Sequence, residues 1–372
     1  MIYLDNAATT RPCPEAIDAV TRALTEAWGN PSAGHTPGRT AKAALDSARS
    51  KILSSLRVRE GTLIFTSGGT EADNQAIKSA AFRQRHKGKH IISSQAEHEA
   101  VLNSLNSLKE QGWEVTLLAP DRFGRVPVCD VEAALRPDTA LVSLMLVNNE
   151  TGAVNDIPAI RRLLKEHNSP ALLHTDAVQA YLKIPFSAKT LGADMISLSS
   201  HKIRGPKGAG ALWLRDGLTL PPFLHGGGQE GNLRSGTEAT PAIFGFAAAA
   251  AAMQDAPTAH YAHLREILRE SLPKAVFVSD SEVCAPHICC ISLPGCRAEV
   301  LQNQLDSQGV CISRGSACAK GRRSHVLEAM QLPAPVIDGA LRISFGADNT
   351  EDEVREFAAL LLAAQARFFR HS

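Results

Sequence analysis

From residue 62 to residue 214, short apolar runs alternate with amphipathic stretches, and few folds accommodate that rhythm. The runs at 62–66, 90–93, 115–118, 141–147, 171–175, 195–199 and 209–214 have the length of strands. The stretches at 71–85, 98–111, 131–135 and 157–167 read as helices, and Pro158 suits the first turn of the last one. Strands alternating with helices predict a mostly parallel sheet covered by helices. Ligands in such sheets bind beyond the carboxyl ends of the strands, and the polar motifs of this chain fall there.

A chain of 372 residues exceeds one typical core, so two domains are expected. The composition changes near 254–258. Beyond it the sequence predicts helices at 259–271, 298–308 and 351–369, with strands at 276–278, 287–293, 310–313 and 341–345, a smaller α+β unit. Asn349 or Thr350 caps the last helix. The apolar run 244–253 is too short to span a membrane and reads as a buried helix. A net charge of +1 points to neither nucleic acid nor a membrane as partner. No charged-then-apolar leader opens the chain, so the expected compartment is the cytoplasm. Eight cysteines in so long a chain do not make a disulfide scaffold. Cys284, Cys289, Cys290 and Cys296 lack zinc-site spacing, so no metal is expected. Cys289 and Cys290 lie in an apolar run and read as core.

Lys202 follows the 195–199 run, among Ser199, Ser200 and His201 and before glycines. Lysine forms Schiff bases with carbonyl cofactors, while hydroxyls and backbone freed by glycine suit a phosphate. Ser67-Gly68-Gly69-Thr70 follows the 62–66 run and opens a helix, where free N–H groups and the helix dipole favour an anion. Asp176 ends another run and is able to pair with a protonated pyridine nitrogen or to cap the next turn. Asn148 follows the 141–147 run, either to donate to a cofactor hydroxyl or to build a turn. His98 is able to stack on a planar cofactor and move protons. The glycine-rich 225–237 segment suits an approaching anion. Cys318 lies among small residues with Lys320, Arg322 and Arg323 close by, and positive charge favours the nucleophilic thiolate.

Taken in order, the motifs at 3–10, 29–32, 65–74, 97–98, 147–150, 174–179, 199–202, 226–237, 315–318 and 341–346 resemble the pyridoxal-phosphate cysteine desulfurases of the iron–sulfur-assembly and nitrogen-fixation type. The resemblance implies an α/β, aspartate-aminotransferase-like fold of type I, with a mixed, mostly parallel seven-stranded sheet. It implies an arm at 1–15 joining the small domain, a large cofactor domain at 16–255 and a small domain at 256–372 that carries the Cys318 loop. It also implies a homodimer. By the same resemblance Lys202 is the Schiff-base lysine, Asp176 the partner of the pyridine nitrogen, and His98 the stacking ring. Gln179 and Asn148 bond the 3′-oxygen side. Gly69, Thr70, Ser199 and His201 hold the phosphate, together with Thr237 of the partner subunit. Arg342 clamps the substrate carboxylate, with Asn30 and Asn148 on the substrate side.

The implied reaction converts L-cysteine to L-alanine. Lys202 takes the α-proton, the Cys318 thiolate attacks the substrate sulfur, and Cys318 keeps that sulfur as a persulfide. A protein acceptor then receives it, for iron–sulfur cluster assembly or for tRNA or cofactor thiolation. Two departures from the family pattern bear on the acceptor: Arg314 replaces a small residue, and the segment between Cys318 and Ser324 is about two residues shorter than in the long-loop class. Two other readings are a fold-type-I lyase acting on selenocysteine or a C–S bond without a persulfide, and a non-catalytic scaffold. The presence of Lys202, Asp176, Cys318 and Arg342 argues against the scaffold.

Overall fold

The computed structural model describes residues 1–253, 256–279, 282–314 and 323–369. Its centre is a seven-stranded sheet in the order Thr62–Thr66, Gly210–Leu214, Met195–Ser199, Leu172–Asp176, Thr139–Ser143, His90–Ser94 and Glu114–Leu118. Gly210–Leu214 runs antiparallel to both neighbours, and all other pairs are parallel. The expected mixed, mostly parallel sheet is therefore present. The five inner strands are buried along their whole length. That is why they read as unbroken apolar runs rather than as alternating ones.

Helices cover both faces. On one, Gly69–Gln84 lays Ala72, Ala76 and Ala80 against Ile64, Leu141 and Leu212. On the other, Thr240–Ala252 packs on Pro14–Thr25 and Thr36–Ser55. Gly210 lets its strand meet the turn that opens the Gly69–Gln84 helix closely, since a Cβ there would stand 2.6 Å from the carbonyl carbon of Gly68.

A second apolar core gathers around an antiparallel sheet in the order Ser313–Arg314, Ala340–Ser344, Ile288–Ser292 and Val276–Phe277. Thr258–Ser271, Ala298–Asp306 and Glu351–Phe368 contribute to it. Thr350, with Glu353, forms a capping box at the start of the last helix. Ile2–Tyr3 pairs in parallel with Val310–Cys311, and Ile2 and Leu4 join this second core. The chain then crosses toward the central sheet, where the Thr10 N–H donates to His201 O at 2.9 Å.

Three local expectations are corrected. The strand expected at 141–147 ends at Ser143. The apolar run continues because the next residues stay buried alongside the Leu172–Asp176 strand past the last paired residue, the Leu146 N–H still donating to Asp176 O at 2.8 Å. The strand expected at 310–313 is two short strands, Val310–Cys311 and Ser313–Arg314, which belong to different sheets. The helix expected from 98 begins at Glu99, with His98 as its N-cap. The helices Pro14–Thr25 and Thr36–Ser55 were not among the expected elements.

Candidate active site

The carboxyl ends of the central strands open onto a cavity of about 1080 Å³. The strand ending at Asp176 brings Asp176, Val178 and Gln179 to its wall, and the strand ending at Ser199 brings Ser199, His201 and Lys202. Gly69 and Thr70 enter from the start of the Gly69–Gln84 helix, and His98 from the cap after the 90–94 strand. Arg342 comes across from the second sheet. Residues far apart in sequence thus meet because parallel strands end at one edge.

Lys202 lies in a short 3₁₀ turn after its strand. Its Nζ donates to Ala7 O at 2.6 Å and to Ala8 O at 2.7 Å, so the N-terminal arm holds the amine at the cavity. Gln179 Nε2 also donates to Ala7 O, at 2.9 Å. Asp176 accepts the Val178 N–H at 2.8 Å. Burial pushes its carboxyl above the usual range, while His98 and Lys202 pull it back toward the anion. His98 Nδ1 accepts the Ala100 N–H at 3.1 Å, which fixes the ring at the start of its helix. His201 Nδ1 lies 3.1 Å from Thr9 Oγ1. Burial and the charges of Lys202, Lys207 and Lys183 depress its imidazole to about 4, so the ring is neutral near pH 7.

Two buried acids to which the sequence gives no role stand at and near the cavity, Asp73 in its wall and Glu97 behind it. Asp73 is buried, lines the cavity and stands 3.7 Å from His174 Nε2. Burial and the neighbouring Asp176 hold its carboxyl well above the usual range. Glu97 is held high by burial as well, although it accepts the Met145 N–H at 2.9 Å. The signal for Asp73 was its spacing: three residues after Thr70 on a helix, it points to the same side. On the opposite wall Arg342 donates to Asp5 Oδ1 at 2.9 Å and to Asn149 O at 3.0 Å. Glu150 pairs with the Ser324 hydroxyl, and His325 Nε2 lies 3.1 Å from Glu97 O.

Asn148 is corrected. It is buried outside the cavity wall and its side chain is fully used in a turn. Its Oδ1 accepts the N–H groups of Glu150 and Thr151, each at 2.9 Å, and its Nδ2 donates to Ala96 O at 2.9 Å. The next residue, Asn149, lines the cavity instead. Asn30 and Thr237 are exposed and do not line the cavity of this chain. Cys318 lies outside the described residues, as do Lys320 and Arg322. On the described side of that segment, Arg323 and His325 line the cavity. Cys289 and Cys290 are buried in the core, with the Cys289 thiol pushed up to about 12 by burial.

Among the described residues, five cavity-lining polar atoms are buried without a hydrogen-bond partner: Asp73 Oδ1, Asn149 Oδ1, Gln179 Oε1, Ser199 Oγ and Arg342 Nε. Each such atom costs about 1–3 kcal/mol when left unpaired. They therefore call for a polar ligand that touches both the sheet edge and Arg342. A phosphorylated pyridine aldehyde and an amino acid fit that set: carboxylate and amide groups for a ring and its oxygen, a hydroxyl and a helix N-terminus for phosphate, a guanidinium for carboxylate.

Residues 2–357 match the family model described as aminotransferase class-V. A cysteine desulfurase IscS of Methanosarcina thermophila is 41% identical over 361 residues, covering 95% of this chain and 89% of that protein. A solved NifS-like protein superposes with a TM-score of 0.93 at 34% identity, covering 99% of this chain and 100% of the other. A structure described as SspA in complex with cysteine superposes with a TM-score of 0.82 at 33% identity, over 93% of this chain and 99% of that one. Sequence, fold and cavity lead to one assignment: the chain belongs to the class-V aminotransferase family, among relatives that carry the name cysteine desulfurase.

Proposed function

We propose that this chain is a pyridoxal 5′-phosphate-dependent cysteine desulfurase that passes the sulfur of L-cysteine to an acceptor through Cys318. One observation carries the reading. Lys202, Asp176 and the unpartnered Ser199 hydroxyl line one cavity whose other wall is Arg342. Thr70, Gly69 and Ser199 would hold the phosphate, with His201 as a neutral donor. Asp176 would face the pyridine nitrogen, His98 the ring, and Gln179 the ring oxygen. Asn149 takes the place first expected of Asn148, on the strength of its unpartnered Oδ1. Bound there, pyridoxal phosphate would supply an electron sink for the bonds at the substrate α-carbon.

The residues of the chain supply the remainder. The Lys202 amine would hold the cofactor aldehyde and would serve as the base for the substrate α-proton. The buried, unpartnered Nε of Arg342 is left to join the recognition of the substrate carboxylate, since its other two nitrogens are tied to Asp5 and Asn149. The Cys318 thiolate attacks the substrate sulfur. The C–S bond breaks, the carbon product takes a proton and leaves as L-alanine, and the added sulfur stays on Cys318. A solved relative described as a cysteine complex supports L-cysteine as substrate.

The reading extends to a homodimer, in which Thr237 of the partner subunit completes the phosphate site and Asn30 approaches the substrate side. Residues 16–255 then form the cofactor domain and residues 256–372 the part that carries the nucleophile. The acceptor is a protein of cluster assembly or thiolation, in the cytoplasm. The direct test is to supply the purified chain with pyridoxal phosphate and L-cysteine and to measure alanine. Catalytic production of alanine is expected, and none above the cofactor-free control contradicts the reading.

A further inference from the structure

Two arginine–glutamate forks fasten the 225–237 loop to the body of the protein. One of them stands at the helix end that the proposed function assigns to phosphate. Glu71 lies in the first turn of the Gly69–Gln84 helix. Its Oε2 accepts the Ser67 N–H at 3.0 Å, and Arg234 from the loop meets it with Nε–Oε1 at 2.7 Å and a second nitrogen at 3.2 Å from Oε2. The side chains are only 14% and 22% exposed, so solvent screens the pair weakly. Burial raises the Glu71 carboxyl, but the Arg234 fork and the Ser67 N–H outweigh it and hold the group below its ordinary range.

Glu71 is therefore an anion beside a site that must accept another anion. Both draw on the same positive helix end. An unopposed Glu71 would repel a phosphate at Thr70 and Ser199, and Arg234 is the cation that opposes it. We propose that Arg234 is a positioning residue for the phosphate, acting through Glu71: its guanidinium neutralises that carboxylate and so sets the phosphate affinity of the site. This rests on the reading that the helix end holds the phosphate of pyridoxal phosphate.

The second fork separates charge from shape. Arg49 meets Glu230 with two contacts of 2.8 Å, and Glu230 also accepts the Phe65 N–H at 2.9 Å. Backbone bonds from Phe223 to Leu233 and from Ser235 to Leu224, each 3.0 Å, hold the loop as well. None of these involves the Arg234 side chain, so its replacement is expected to change the local charge and leave the loop in place.

The test is a titration of the cofactor-stripped full chain with pyridoxal phosphate and, separately, with pyridoxal, which lacks the phosphate. The proteins are the wild type, Arg234→Gln, Glu71→Gln and the double variant. Arg234→Gln is expected to weaken pyridoxal phosphate about tenfold, and more at low salt, while pyridoxal stays within about twofold. The double variant is expected to return near the wild-type affinity. Equal weakening of both ligands, or a double variant as weak as Arg234→Gln, overturns the proposal, because the loss then follows loop shape rather than charge. If Arg234→Gln does not fold, Glu71→Gln alone decides: it is expected to bind pyridoxal phosphate at least as tightly as the wild type, and weaker binding overturns the proposal. A wild type that does not prefer pyridoxal phosphate over pyridoxal overturns the phosphate reading itself, and this proposal with it.

Discussion

Cys318→Ala is expected to bind pyridoxal phosphate as the wild type does, yet to form no persulfide and to lose alanine production by at least about 10³-fold, the scale of a missing nucleophile. The described cysteines offer no substitute in the cavity wall. Cys289 and Cys290 are sealed in the core with thiols pushed up by burial, and burial raises Cys13 as well. Cys318 has the opposite surroundings in sequence, with Lys320, Arg322 and Arg323 favouring a thiolate. Arg323 and His325, a few residues on, already line the cavity. Alanine assays run beside the cofactor absorbance spectrum decide the matter. Wild-type alanine production by the variant would move the chemistry to a lyase that releases sulfide directly.

Lys202→Ala is expected to keep the fold and lose the reaction. The Lys202 amine donates to the Ala7 and Ala8 carbonyls of the N-terminal arm, and Lys202 itself belongs to neither apolar core, so its removal takes no apolar side chain out of them. Loss of the group that moves the α-proton costs about 10²–10⁴-fold by itself. Loss of the covalent anchor adds to that, and the cofactor should wash out on desalting. The measurements are the thermal midpoint, retained cofactor after gel filtration, and alanine turnover. A variant that retained the cofactor and exchanged the substrate α-proton at the wild-type rate would remove Lys202 from the role proposed for it.

The sequence was most legible where chemistry coincides with a strand end. Asp176, Ser199 and Lys202 each follow a buried run, and a parallel sheet brings such ends to one edge whatever the details of packing. It was less legible where side chains choose between neighbours. Asn148 and Asn149 are adjacent and chemically identical, and only the turn hydrogen bonds of Asn148 show which one is left for the cavity. The run at 141–147 overstated a strand because burial outlasts the ladder. Asp73 and Glu97 stood inside recognised motifs without a role, since their meaning depends on burial beside Asp176. Thr36–Ser55 is long but weakly patterned, with alanine, serine and arginine at half of its positions, so its apolar face emerges only against Thr240–Ala252. The Arg234–Glu71 fork joins residues 163 apart in sequence and no local pattern announces it.

The most direct measurement is a single turnover without reductant: protein loaded with pyridoxal phosphate, a limiting amount of L-cysteine, alanine counted, and the peptide that contains Cys318 weighed by mass spectrometry. The account predicts one added sulfur on Cys318 for each alanine formed. Alanine accompanied by an equal amount of free sulfide, with Cys318 unmodified, would contradict it.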